Sequence, residues 1–257
     1  MELFTDLMQQ NPLASMGISL QAISLLLVRL LAFNHFAPIF SHKSIPAHVR
    51  IALSFLLMTM LAPKALAEPI PEEGYSLVFA ILSNFLLGFI MGFTANLLFI
   101  TVVAGGEMMD ASMGFSAAQT FDPALNSQTT IIGKFFNVLS IVVFFYIGGP
   151  EMLIGGLANS VDNFSIYMTE IDINVPKIIK MCGDIINMGF VLVSPIVITI
   201  LVNDIVLGLI SRAAPQINAF QISFTIKPSI GVITLLMILP LFMSALVNFF
   251  SSINGLF

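Results

Sequence analysis

Charged residues are scarce in this sequence of 257 residues, of which only 9% are Asp, Glu, Lys or Arg. Soluble domains carry about 25% charged residues, so this chain has too few to cover the surface of a soluble protein of its size. Its net charge of −5 also argues against nucleic acid as a partner, because binding to phosphates requires basic side chains. The scarcity of charge therefore predicts a membrane protein.

Tryptophan is absent, and cysteine occurs once, at Cys182. Tryptophan usually anchors helices at the membrane interface, so its absence predicts either few interface anchors or packing against protein in place of lipid. A single cysteine cannot form an internal disulfide, and no Cys/His cluster has the spacing of metal ligands. We therefore expect neither a disulfide nor a metal site.

Long apolar runs make up most of the chain, in which 58% of residues are hydrophobic. About 20 such residues cross the hydrocarbon layer as a helix. Glycines and a proline interrupt the apolar stretch 148–158, which predicts a loop or a short bent helix. The runs predict an all-α integral membrane protein with one helical membrane domain over residues 1–257. Its six apolar segments are Ile18–Phe40, Ile51–Leu61, Ser76–Ala104, Thr130–Ile147, Ile185–Ile210 and Ser229–Phe250.

Small and polar residues recur every four positions in the third segment, as Ala80, Asn84, Gly88, Gly92 and Asn96. Residues at this spacing lie along one face of a helix. Glycines let another backbone approach closely, and asparagines can hydrogen-bond across such a contact. The pattern predicts a tight contact, either with another helix of this chain or with another subunit.

Two charges lie in the middle of apolar segments, Arg29 in the first and Asp204 in the fifth. Charges in such places pair with another group, line water or lie near a helix end. A salt bridge between Arg29 and Asp204 is one hypothesis. The alternative for Arg29 is that its side chain reaches along the helix to the membrane surface.

The linker after the third segment, Gly105–Pro123, is unusually apolar for a loop, because it holds three methionines and two phenylalanines among small residues. Methionine is flexible and fills irregular gaps. The composition predicts either a loop that fills a cavity and closes it or a packed re-entrant loop with no gating role.

No catalytic arrangement is recognisable in the sequence. The three histidines all lie between His35 and His48, with no Ser or Cys nucleophile at a familiar spacing. There is no glycine-rich phosphate loop and no H-E-x-x-H metal motif. We therefore predict a protein that is not an enzyme and that has no catalytic residue and no cofactor.

Three groups of residues together match the pattern of one known family, and they span about residues 18–240. They are Arg29, Pro38, Pro46 and Arg50-Ile51-Ala52; Gly106-Glu107, Met113-Gly114 and Phe121-Asp122-Pro123; and residues 212–220 with Phe224, Lys227 and Gly231. These groups, of which the last is the most specific, resemble the R subunit of the flagellar export gate, the FliR family, which is shared with virulence type III secretion.

This resemblance implies a channel component of flagellar type III protein export, located in the bacterial inner membrane at the flagellar basal body. The implied partners are export-gate subunits of the P and Q types, the associated switch and energy-coupling membrane subunits, and unfolded exported proteins. Helical hairpins of one R subunit would close a ring of P subunits, with Q subunits outside. The loop 113–123 would be a plug that narrows the channel, formed by Met113, Gly114, Phe115, Phe121, Asp122 and Pro123.

Residues 212–220 are expected to form a structured turn at a subunit contact. A helix should end before Pro215, because proline disfavours helical geometry in the residue ahead of it. Arg212 would lie near that helix end, where a cation is favourable, and Asn218 would hydrogen-bond in the turn. The residues expected in helix or subunit packing are Arg29, Asn84, Gly88, Gly92, Asn96, Asp204, Arg212, Pro215, Asn218 and Lys227.

Two other functions remain open at this point. The first is a gate subunit of a virulence type III secretion system, which the same motifs allow. The second is a small-solute secondary transporter, although the two related halves common in transporters are not visible in the sequence.

Overall fold

The computed structural model describes residues 12–38, 45–66, 76–115, 130–168, 175–216 and 218–251. These residues form seven α-helices and no strand, so the prediction of an all-α membrane protein is confirmed. The helices are α1 (Pro12–Phe36), α2 (Ala47–Leu66), α3 (Leu77–Met113), α4 (Ile131–Tyr146), α5 (Gly149–Asn163), α6 (Val175–Ala213) and α7 (Ala219–Ser251).

Helix α3 is longer than the sequence predicted, because it continues beyond Ala104 to Met113. The prediction of a loop beginning at Gly105 is therefore wrong for residues 105–113. This stretch contains no proline and holds three methionines, which have high helix propensity. In the stretch 148–158, in contrast, residues 149–158 belong to the short helix α5, which confirms the short-helix alternative.

Four helices are long and apolar enough to span a membrane: α2, α3, residues 178–213 of α6 and residues 221–248 of α7. The number rises to five if α4 and α5 are counted together as one broken span. Helix α2 has 20 residues, so it reaches the length for a crossing that the predicted segment 51–61 lacked.

The chain divides into two compact units, and the boundary within α3 falls after Asn96. The first unit comprises residues 1–96, 151–175 and 253–257, and the second comprises residues 97–150 and 176–252. The expectation of one domain stays a prediction. In the first unit Leu25, Leu26 and Phe33 are fully buried. In the second unit Phe136 is fully buried, with its ring centroid 4.6 Å from that of Phe242.

The predicted glycine ridge of α3 lies against the backbone of α1 in the first unit. A Cβ atom added at Gly88 would overlap the carbonyl oxygen of Arg29 and lie 3.0 Å from Phe33 N. A Cβ atom added at Gly92 would lie 2.7 Å from Phe33 O and 2.9 Å from Ala37 N. Only a residue without a side chain fits these two positions. The contact lies within the chain, and a role of the same residues between subunits stays a prediction.

Gly88→Ala tests this close approach, with Gly155→Ala as the matched control. Alanine at Gly88 would force α1 and α3 apart, and overpacking of this kind costs about 1–3 kcal/mol of unfolding free energy. Gly155 is exposed on α5 and a Cβ atom there meets nothing within 4 Å, so alanine should be neutral or stabilising by up to about 1 kcal/mol. Thermal unfolding of each variant in detergent gives its midpoint temperature. Equal midpoints for Gly88→Ala and Gly155→Ala would contradict the close approach of α1 and α3.

Candidate functional site

Arg29 lies at the centre of a buried polar cluster in the first unit, and its side chain is 0% exposed. Its Nε donates to Asn84 Oδ1 at 2.9 Å, and Nη1 donates to the carbonyl oxygen of Ser160 at 2.8 Å. Nη2 donates to the carbonyl oxygens of Phe164 and Ser165 at 3.1 and 3.3 Å. One guanidinium thus binds an amide side chain and three backbone carbonyls.

The three carbonyls lie at the carboxyl end of α5 and in the residues that follow it. The last carbonyls of a helix lack partners within the helix, and their partial negative charge attracts a cation. Asn84 extends the cluster, because its Nδ2 donates to the carbonyl oxygens of Ala80 and Ile166, both at 2.8 Å. The cluster therefore fastens α1, α3 and the end of α5 to one another.

A second cation meets α5 at the surface. Lys64 Nζ lies 2.6 Å from Asp162 Oδ2, and the two side chains are 45% and 51% exposed. Exposed ion pairs contribute about 0–1 kcal/mol, so this pair adds little to the stability of the buried cluster.

The hypothesis of a salt bridge between Arg29 and Asp204 stays a prediction, and Asp204 has a partner within its own unit. Asp204 Oδ1 lies 2.8 Å from Lys227 Nζ, which joins α6 to α7. The sequence contained a signal for this pair: Asp204 lies nine residues before the end of α6 at Ala213, and Lys227 lies eight residues after the start of α7 at Ala219. Because these two distances from the turn are nearly equal, the two residues lie at about the same level of the helical hairpin.

Residues of the second unit hold the end of α3, where the predicted plug loop begins, against the start of α4. Asp110 is fully buried, and its Oδ1 accepts a hydrogen bond of 3.2 Å from Ile132 N. Thr130 caps α4, because its Oγ1 accepts from Gly133 N at 3.1 Å. Both interactions satisfy N–H groups that a helix start leaves without partners.

Gly106 permits this close contact, since an added Cβ atom would lie 2.8 Å from Phe136 Cδ2 and 3.0 Å from Gly133 Cα. Thr130, Gly133 and Phe136 were not predicted as site residues. The available signal was the spacing of Gly106 and Asp110, which are four residues apart and therefore share one face of α3.

The plug residues themselves are only partly described. Met113 is fully buried as the last residue of α3, and an added Cβ atom on Gly231 of α7 would overlap its side chain. Gly114 has a φ of 85°, a left-handed conformation that favours glycine and ends the helix. Phe115 is half-buried. The remaining predicted plug residues, Phe121, Asp122 and Pro123, lie outside the described residues.

The turn between α6 and α7 has the expected helix boundary, because α6 ends at Ala213, before Pro215. Arg212 lies in the last turn of α6, and Asn218 Oδ1 accepts from Gln221 N at 3.3 Å, as in a helix cap. Asn96 of the α3 ridge is half-buried. A role for these residues in subunit packing stays a prediction.

A sequence model of the family described as "Bacterial export proteins, family 1" matches residues 20–253. The chain belongs to this family. Family membership agrees with the resemblance that the sequence analysis found.

Curated relatives match over nearly the full chain. The flagellar biosynthetic protein FliR of Pectobacterium carotovorum is 29% identical over 230 residues, covering 89% of this chain and 88% of the relative. FliR of Buchnera aphidicola from Acyrthosiphon pisum is 32% identical over 229 residues, covering 86% of this chain and 89% of the relative. The surface presentation of antigens protein SpaR of Shigella sonnei is 29% identical and covers 88% and 86%. The chain is thus similar to relatives named for flagellar biosynthesis and for the surface presentation of antigens.

Arg29→Lys tests whether the cluster depends on the forked guanidinium. Lysine keeps the positive charge but cannot direct donors at four separate oxygens, so buried acceptors would lose their partners. We expect a loss of about 2–5 kcal/mol of unfolding free energy. Lys64→Ala is the control, because it removes only the exposed ion pair between α2 and the end of α5, and it should cost at most about 1 kcal/mol.

Thermal unfolding in detergent, together with the yield of folded chain, distinguishes the two variants. If Arg29→Lys unfolds at the same temperature as the unaltered chain, the cluster does not fasten the first unit.

Proposed function

We propose that this chain is a non-enzymatic gate subunit of the flagellar type III protein export apparatus. It assembles with subunits of the P and Q types, and with the associated switch and energy-coupling subunits, into a pore for unfolded proteins. Its place is the bacterial inner membrane at the flagellar basal body. The observation that carries the proposal is the match of residues 20–253 to the export family.

The uneven burial of the helices supports assembly into a larger complex. In an apolar stretch of 18 residues in α3, 56% of the stretch is buried inside the chain, whereas only 22% of the corresponding stretch is buried in α2 and in α7. Apolar faces that a chain does not cover for itself must contact lipid or neighbouring subunits. Helices with so little internal packing are suited to contribute their faces to an assembly.

The use of buried polar groups supports a non-enzymatic role. Arg29 and Asn84 bind backbone carbonyls, and Asp110 accepts from a backbone N–H group. Catalytic groups face a space that a substrate can enter, whereas these groups hold helix ends. In the described residues, no group of three or more His, Cys, Asp or Glu side chains is arranged to bind a metal ion.

We propose further that the loop 113–123 narrows the pore at rest. The hydrogen bond from Ile132 N to Asp110 and the buried side chain of Met113 support a fixed base for such a loop. Methionine and phenylalanine side chains exclude water by filling space, and a dehydrated constriction stops ions.

A gate subunit of virulence secretion is the second candidate, favoured by the match to SpaR of Shigella sonnei at 29% identity. Expression of this chain in two strains distinguishes the flagellar from the virulence function. One strain lacks its flagellar R subunit, and the other lacks the virulence homologue of that subunit. We expect motility to be restored in the first strain and secretion to stay absent in the second.

Purification of the tagged chain tests the proposed assembly. Co-expressed with the P and Q type subunits of its own genome, the chain should be recovered in one complex with both. Expressed alone, it should give a lower yield of monodisperse protein, because the faces of α2, α6 and α7 remain uncovered. Recovery as a separate, monodisperse protein in the presence of those subunits would contradict the proposal.

Deleting Phe115–Phe121 tests the plug. The deletion removes two aromatic side chains that fill space, so the assembled complex should pass small ions at rest. Membrane conductance and growth at high salt measure the leak, with Gly155→Ala in the same complex as the control. A complex that assembles with the deletion and shows no added leak would contradict the plug.

A further inference from the structure

The end of α3 lies against a single glycine of α7. Gly231 is buried, and an added Cβ atom there would overlap Met113 Cγ and lie 2.7 Å from Met113 Sδ and 3.0 Å from Met113 Cε. Three successive atoms of one side chain therefore lie across the backbone of Gly231. Met113 is fully buried, although it is the last residue of α3. The contact requires glycine, since any side chain at position 231 would displace the methionine.

The helix ends directly after this contact. Gly114 N donates to Ala111 O at 3.3 Å, and Gly114 has a φ of 85°, so the chain turns away from the helix axis there. An added Cβ atom on Gly114 would meet nothing within 4 Å, so the close packing of this helix end stops at Met113. The position of Met113 therefore sets the place from which the following loop starts.

The neighbouring contacts of this helix end are of a different kind. Asp110 accepts a hydrogen bond from Ile132 N, and Gly106 lies against Phe136, so both residues join α3 to α4. Breaking the hydrogen bond would leave buried polar groups unpaired, which is costly. The contact between Met113 and α7 is apolar on the side of the methionine, so it can open without leaving a polar side chain unpaired.

Helix α7 is weakest beside the same contact. Pro228 lies inside α7, three residues before Gly231. Proline lacks the N–H group that a helix requires, and its ring collides with the carbonyl four residues before it, so helices bend at proline. Glycine also has low helix propensity. Residues 228–231 thus combine two helix-weakening residues within one turn, and Met113 lies against this turn.

We propose that Met113 and Gly231 form a latch, which holds the end of α3 on α7 at rest and opens when α7 bends at Pro228. Opening frees the start of the loop 113–123, so a movement of α7 becomes a movement of the proposed plug. Methionine suits this role, because its flexible side chain can leave an irregular surface and return to it. This inference rests on the proposed function, and both latch residues belong to the second unit.

Gly231→Ala tests the latch. The added methyl group should displace Met113 and shift the ratio of open to closed latch roughly 5- to 100-fold, in line with overpacking of a close contact. The assembled complex should then leak ions at rest, which membrane conductance measures. Met113→Ala removes the other half of the latch and should also leak. The double variant should leak no more than the leakier single variant, because both changes remove the same contact.

Gly183→Ala is the matched control for the added methyl group. Gly183 is exposed on α6, and an added Cβ atom there meets nothing within 4 Å. The complex with this variant should be as tight as the unaltered complex. Recovery of each variant with the co-expressed subunits shows that a leak comes from an assembled complex.

A disulfide in place of the latch tests whether the latch must open for export. Disulfide Cβ atoms lie about 3.5–4.5 Å apart, and a Cβ atom at position 231 already overlaps the side chain at position 113. Met113→Cys with Gly231→Cys, in a chain whose Cys182 is replaced by serine, should therefore crosslink on oxidation. The crosslink should stop export, and reduction should restore it. The same oxidant should leave export by the Cys182→Ser chain unchanged.

Pro228→Ala tests the bend. Alanine restores the missing N–H group and stiffens α7 beside the latch, so export should slow while the resting complex stays tight. Pro240→Ala is the control in the same helix, nine residues beyond Gly231, and should leave the export rate unchanged. Equal export rates for the two variants would overturn bending at Pro228 as the step that opens the latch.

Three results would overturn the latch itself: tight complexes with both Gly231→Ala and Met113→Ala, failure of the two cysteines to crosslink, or full export by the crosslinked complex. If Gly231→Ala prevents assembly, Met113→Ala and the crosslink decide, because neither adds bulk against an intact methionine. Deletion of Phe115–Phe121 separates the latch from the plug. A leak with the deletion but with neither latch variant contradicts only the latch, whereas a tight complex with the deletion contradicts the plug.

Discussion

The guanidinium of Arg29 lies in an apolar interior and binds one amide oxygen and three backbone carbonyls. A cation in such surroundings is stable only if its donors are satisfied, and the carbonyls at a helix end likewise need donors. The two requirements meet here, because α5 ends where the guanidinium lies. Arg29, Asn84 and the end of α5 must therefore adopt their positions together, and the packing of the first unit depends on this cluster.

The glycines of α3 belong to the same constraint. Asn84 and Gly88 are one helical turn apart on the same face, and Gly88 lies against the carbonyl oxygen of Arg29 itself. The absence of a side chain at Gly88 brings α3 close enough for the Asn84 amide to reach the guanidinium at 2.9 Å. The close approach of the two backbones and the hydrogen bond between Asn84 and Arg29 thus depend on each other. Membrane helices commonly associate through such contacts, because the hydrophobic effect between them is weak.

In the second unit, Asp110 and Thr130 bind N–H groups at the start of α4, and Gly106 allows the contact. In each unit, buried polar side chains bind backbone groups at a helix end. The pair of Asp204 and Lys227 differs, because it is partly exposed and lies between long apolar stretches.

The sequence by itself determined the all-α membrane class, the close approach at Gly88 and Gly92, and the helix end before Pro215. These features depend on local properties: the length of apolar runs, the four-residue spacing of a helix face, and the stereochemistry of glycine and proline. Only the tertiary structure decided that residues 105–113 continue α3 and which groups the charges bind. The reason is distance along the chain: Arg29 meets a carbonyl 131 residues away, and no local pattern specifies which helix end will arrive beside a given side chain.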